Sequence, residues 1–110
     1  MAESALRTPA GMDVEVHEAT PGCFAVVGSL TFPSARHAAE RGIRAFEASS
    51  ATSLEADLSG VRSADSAGLA VLLNWLAWAH RSGRKLAFLH VPASIADLAR
   101  ISEAAAIIGS

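Results

Sequence analysis

Asp57-Leu58-Ser59-Gly60-Val61-Arg62-Ser63-Ala64-Asp65-Ser66-Ala67-Gly68-Leu69 is the stretch on which the reading of this chain turns. Just ahead of it and into its start, Leu54, Ala56 and Leu58 alternate with Glu55 and Asp57, the period of a strand with one wet face. Residues 59–64 are polar and read as a loop. A long helix follows over residues 66–81, stopped by Ser82 and Gly83, since glycine accepts the left-handed conformation that ends helices. Asp65 and Ser66 are both good N-cap types. A helix N-terminus carries free N–H groups and a partial positive charge. Two roles are therefore open here: capping within the chain, or a serine that can hold a phosphate, because the site favours anions.

Upstream, Met12, Val14 and Val16 alternate with Asp13, Glu15 and His17, a half-buried strand over residues 12–17. Thr20-Pro21-Gly22 is a turn signal, and residues 23–27 are a continuous apolar run, so the two strands read as an antiparallel hairpin. Residues 28–32 read as a connector. Pro33 suits the first turn of a helix, along which Ala35, Ala39, Ile43 and Phe46 recur at helical spacing. Residues 49–53 break that pattern. Downstream, residues 86–91 form a fourth strand, and Pro92 opens a last helix with Ile95, Leu98 and Ile101 on one side. Residues 102–110 add a short terminal helix. The order is an α/β two-layer sandwich: a mixed sheet of four to five strands with helices packed mainly on one face. Residues 1–11 read as a flexible tail and 12–110 as a single domain, without internal repeat or linker.

Composition narrows the partners. The chain has 110 residues, 51% hydrophobic and only 18% charged, with a formal net charge of −2. No basic stripe is present to capture nucleic acid or anionic lipid. Cys23 is the only cysteine, so no intrachain disulfide forms, which suits a reducing compartment. The first residues lack the apolar core of a signal peptide. The longest apolar stretch, 67–79, contains Asn74 and falls short of the about 20 residues a membrane span needs. The expectation is a soluble, cytoplasmic protein with no direct membrane insertion.

At about 100° per residue, Leu69, Leu72, Leu73 and Leu76 share one face of the long helix, which should cover the sheet. Ala67, Val71, Asn74 and Trp78 share the opposite face, with Trp75 at its edge. Tryptophans on a non-core face would be hot spots of a docking surface. The alternative is that Trp75 and Trp78 pack under the N-terminal tail or a neighbouring helix.

Asp65-Ser66-Ala67-Gly68-Leu69 resembles the D-[ST]-x-G-L motif of STAS domains, which include bacterial anti-sigma-factor antagonists and the lipid-asymmetry subunit MlaB. The resemblance extends to Gly28, the Asp57-Leu58-Ser59 strand end, the long helix and the Gly83-Arg84-Lys85-Leu86 turn. It implies a STAS fold and a protein that docks onto a partner. Ser66 occupies the family's switch position, phosphorylated in the antagonists by their partner kinase. Those proteins usually carry an aspartate where Thr31 stands, and Leu30-Thr31-Phe32 is more similar to MlaB. For an MlaB-like chain the resemblance implies binding to the ATPase subunit, MlaF-like, of an ABC-type phospholipid transporter at the inner membrane. The partner-binding residues it and the helix face suggest are Thr31, Asp65, Ser66, Ala67, Val71, Asn74, Trp75 and Trp78.

Enzyme readings fit less well. Ala64-Asp65-Ser66-Ala67-Gly68 superficially resembles a nucleophile elbow, but that fold needs a larger sheet and a late histidine, and His90 is the only one after the long helix. His17, His37, His80, His90 and Cys23 do not have metal-ligand spacing. No nucleotide-binding loop is visible. No catalytic residue, metal or cofactor is expected. Two functions remain: a regulatory subunit of an ABC transporter, or a phosphorylation-controlled partner of an anti-sigma kinase.

Overall fold

The structure, a computed structural model, describes residues 14–101. The expected tail over residues 1–11, the start of the first strand at Met12 and the terminal helix over 102–110 lie outside the described residues. The elements run β1 (Val14–Thr20), β2 (Cys23–Leu30), a 3₁₀ turn (Phe32–Ser34), α1 (Ala35–Ala48), β3 (Ser53–Ala64), α2 (Ser66–Arg81), β4 (Lys85–Leu89) and α3 (Ala93–Ile101). The sheet order is β1-β2-β3-β4, with β1 antiparallel to β2 and the other two pairings parallel. This is the mixed α/β sheet expected, with four strands.

Among the described residues, the helices cover one face of the sheet and none covers the other. Phe24, Ala56 and Phe88 stand side by side across β2, β3 and β4, and all three are buried. Phe24 meets Phe46 of α1 and Phe88 meets Trp75 of α2, so both helices lie on that side. At the alternate positions Val27, Glu55, Ala87 and Leu89 are exposed, and Cys23, Ala25 and Asp57 are half-buried.

Residues 59–64, expected as a loop, instead continue β3. They pair with β2 from Val27↔Gly60 to Leu30↔Ala64, and residues 28–30, expected as a connector, continue β2 alongside them. The polar character that suggested a loop has a different cause. β4 pairs with β3 only from Ser53 to Asp57, so among the described residues the later half of β3 has no strand on its outer side.

The long helix is rotated from the expected orientation. Val71, Trp75 and Trp78 are 3%, 0% and 8% exposed, and with Leu72 and Ala79 they form the buried face. Leu69, Leu73 and Leu76, expected against the sheet, are half-buried at its flanks. Phe46 sits at the centre of this packing. Its ring meets Phe24 edge-on at 5.0 Å, Trp75 edge-on at 5.4 Å and Trp78 at 5.6 Å. The Trp75 indole N–H donates to the Ala39 carbonyl at 3.2 Å, so its one polar atom is satisfied in the core. The ring lies over Gly42, where an added Cβ would stand 2.3 Å from it.

Arg84 closes the other end. Its guanidinium donates to the Phe46 carbonyl at 2.7 Å and the Ser49 carbonyl at 3.0 Å, covering the C-terminus of α1, and lies 5.4 Å over the Trp78 ring. Gly83 takes the left-handed conformation expected after α2, with φ of 71°. On α3, Ile95 and Ala99 are buried and Leu98 is half-buried, but Ile101 is 81% exposed, contrary to its expected place on the packed side.

Two stability measurements check this packing. Trp75→Ala and Trp78→Ala should each cost about 3–5 kcal/mol in urea unfolding, the range for emptying a core aromatic site. Native-like stability in both would return them to the surface. Gly42→Ala would stabilise a free helix by about 1 kcal/mol. Here it should instead lower the melting temperature, because the methyl group meets the Trp75 ring; a raised melting temperature would show that the indole does not lie there.

Candidate partner-docking site

Because β2 and β3 are parallel and end level, Leu30 opposite Ala64, the segments that leave them emerge side by side. In an open α/β sheet, the carboxyl ends of parallel strands are where sites form. Here they bring Thr31 and Phe32 from one turn next to Asp65 and Ser66 from the other. The Asp65 N–H donates to the Leu30 carbonyl at 3.1 Å, which ties the two exits together through the backbone.

Asp65 is extended, with φ of −138°, and is the N-cap of α2. One carboxylate oxygen accepts from the Ala67 N–H at 2.8 Å; the other accepts from the Phe32 N–H at 3.1 Å. One side chain therefore caps the helix and clasps the neighbouring turn. Gly68 has a different reason. A Cβ there would stand 2.7 Å from the Leu30 carbonyl oxygen, so only glycine lets the first turn of α2 lie against the end of β2. Ser66 is the first helical residue and is exposed; its hydroxyl bonds to no other described residue. Of the two candidates for capping, Asp65 does the work.

The neighbouring turn is held as firmly. The Thr31 N–H donates to Ser34 Oγ at 3.0 Å, and the Ser34 N–H returns to the Thr31 carbonyl at 3.0 Å. Ser34 itself is fully buried, its hydroxyl donating to the Ser29 carbonyl at 2.6 Å. Pro33 fixes its own φ within the turn. What this scaffold presents is Phe32, 82% exposed.

Thr31, Asp65, Ser66 and Ala67 are thus brought together as the sequence suggested, Thr31 and Ala67 half-buried and the other two exposed. Asn74 is exposed about two turns further along α2. Val71, Trp75 and Trp78 are not part of any surface; their burial removes them from the site. Phe32 enters the sequence reading only through the resemblance of Leu30-Thr31-Phe32 to MlaB and is not among the expected site residues. A single aromatic in a connector carries no periodicity, and only the parallel pairing of β2 and β3 places it beside Asp65.

Two carboxylates elsewhere are held below their ordinary range. Asp57 accepts from the Ser59 N–H at 2.9 Å and from His90 Nδ1 at 3.0 Å, the backbone bond being the larger cause. Glu18 accepts from the Gly22 N–H at 2.7 Å and, second in effect, from the Ser49 hydroxyl at 2.8 Å. Glu18 is exposed and braces the turn between β1 and β2, whereas Asp57 is half-buried and lies where the β2–β3 pairing slips register, tied to His90 just beyond β4. His90 pays for its place with a left-handed φ of 58°. Among the described residues, no group of three or more histidines, cysteines and carboxylates is gathered as a metal site would require.

Against known structures, the fold is similar to the unphosphorylated form of the anti-sigma factor antagonist SpoIIAA, with a TM-score of 0.59 at 11% identity over 81% of this chain and 83% of that one. It is similar also to the phosphorylated form of the Bacillus cell fate determinant SpoIIAA, with a TM-score of 0.62 at 12% identity over 86% of both chains. No curated protein matches the chain. The family model described as "Mlab, STAS domain" matches residues 15–109, which spans both strand exits, the Asp65 clasp and all three helices. The chain belongs to that STAS family.

Proposed function

We propose that the chain is a non-catalytic regulatory or assembly subunit that binds the ATPase subunit of an ABC-type phospholipid transporter, MlaF-like, and so serves outer-membrane lipid asymmetry. The observation that carries this reading is the match of residues 15–109 to the Mlab-type family model. Its docking surface is the strand-exit corner of Thr31, Asp65, Ser66 and Ala67, with Asn74 further along α2. The chemistry of that corner suits contact better than catalysis. The Asp65 carboxylate is committed to two backbone N–H groups, and no described base lies within hydrogen-bond reach of the Ser66 hydroxyl to activate it. Among the described residues, no helix is long and apolar enough to cross a membrane. On this reading the chain sits in the cytoplasm and is held at the inner membrane by its partner.

A second reading is an anti-sigma-factor antagonist switched on Ser66. It draws on one observation: the hydroxyl is exposed and uncommitted at a helix N-terminus, where a phosphate is tolerated.

The two are separated by purifying the chain from its native cell and identifying whether an ATPase or a kinase accompanies it. Variants at the motif then test the surface. Since Asp65 is the cap, Asp65→Ala should cost about 1 kcal/mol of stability, whereas Ser66→Ala should change it by less than about 0.5 kcal/mol and bind the ATPase at near-normal affinity. Ser66→Asp should melt normally, because the helix terminus accepts the charge. It should lose the partner, because an unpaired charge in a desolvated interface is costly. Binding of Ser66→Asp as tight as wild type would remove Ser66 from the docking surface.

A further inference from the structure

Phe32 and Ile101 are the two large apolar side chains that expose most of their surface among the described residues, and Ile101 is the last of these. Phe32 is not at a loose end. The bonds from Thr31, Ser34 and Asp65 fix the backbone on both sides of it and at its own N–H. An exposed turn usually keeps its conformational freedom until something binds. Here that freedom is surrendered in advance, which lowers the cost of association. A rigidly presented aromatic is the type of residue that anchors protein interfaces.

The second observation is the route by which this anchor is held. Asp65 spends one oxygen on Phe32 and the other on Ala67, and Ser66 stands between Asp65 and Ala67 in the chain. A phosphate on Ser66 would compete for the free N–H groups of the first turn of α2 and repel the Asp65 carboxylate. The Phe32 N–H would then lose its acceptor.

We propose that Phe32 is the anchor of the docking surface, seated in an apolar pocket of the partner protein, and that Asp65 makes its presentation depend on the charge at Ser66. This rests on the reading of the strand-exit corner as a protein-docking surface. The carboxylate beside the ring selects a pocket rimmed by neutral or basic groups. It also disfavours an anionic lipid surface, as does the chain's net charge of −2.

The test uses the full chain and the purified ATPase subunit of the native cell's ABC-type phospholipid transporter. Phe32→Ala should melt like the wild type and bind roughly 30-fold more weakly or worse, with Phe32→Leu intermediate. In the free chain, Asp65→Ala and Ser66→Glu should each speed exchange of the Phe32 amide hydrogen by about tenfold or more, the loss of one charge-assisted hydrogen bond. Failure of the wild type to bind the ATPase would sink the docking reading itself. If the wild type binds and Ser66→Asp does not, but Phe32→Ala and Phe32→Leu bind normally, the docking reading stands and the anchor is overturned. Phe32-dependent flotation with vesicles of anionic phospholipid, without any effect on the ATPase, would make the residue a membrane contact and likewise overturn it. An unchanged Phe32 amide in Ser66→Glu would break the proposed coupling.

Discussion

The parallel pairing of β2 with β3 is the constraint on which the rest of this molecule depends. Parallel strands cannot be joined by a tight turn, so a crossover element is obligatory, and α1 is that element. Once α1 lies on the sheet, Phe46 reaches the centre of the covered face and Gly42 leaves the hollow that the Trp75 ring fills. The same pairing brings Leu30 level with Ala64, and so sets the 3₁₀ turn against the start of α2. Core and docking corner are two ends of one arrangement.

Much of this was legible in the sequence, and the parts that were not share a cause. Alternation in β3, the Thr20-Pro21-Gly22 turn and the Gly83 stop each depend on a few neighbouring residues, and each predicted the element observed. The rotation of α2 does not. Its sequence is apolar almost all round, so period alone leaves two candidate core faces. Volume decides between them: two indoles fill the space between α1 and the sheet, and the complementary signal, Gly42, lies on another helix. Of the leucines read as the natural core face, Leu72 joins the core, while Leu69, Leu73 and Leu76 are left at the flanks.

The docking corner divides in the same way. Asp65, Ser66 and Gly68 could be found from the motif, but not why they have those identities. Asp65 answers a donor more than thirty positions earlier in the chain, the Phe32 N–H, and Gly68 answers the carbonyl of Leu30. Both are consequences of a long-range pairing that local reading cannot supply. Phe32 belongs with them: its exposure is a property of the scaffold formed by Ser34 and Asp65, not of the residue.

The short length of β4 has one more consequence. Among the described residues, β3 beyond Asp57 has β2 on one side and no strand on the other, an edge at which a strand from another molecule can pair, although the Ser59 N–H is already held by Asp57 and the Ala64 carbonyl by Ser94. Such an edge invites fibre-like stacking when its side chains are flat and apolar. In this chain the segment carries Ser59, Arg62 and Ser63, and its pairing with β2 slips register twice on the way, between Ala25 and Val27 and between Gly28 and Ser29. Hydroxyls, a guanidinium and an irregular backbone make a poor template for a copy of itself. The composition that disguises this strand as a loop also guards it against self-assembly.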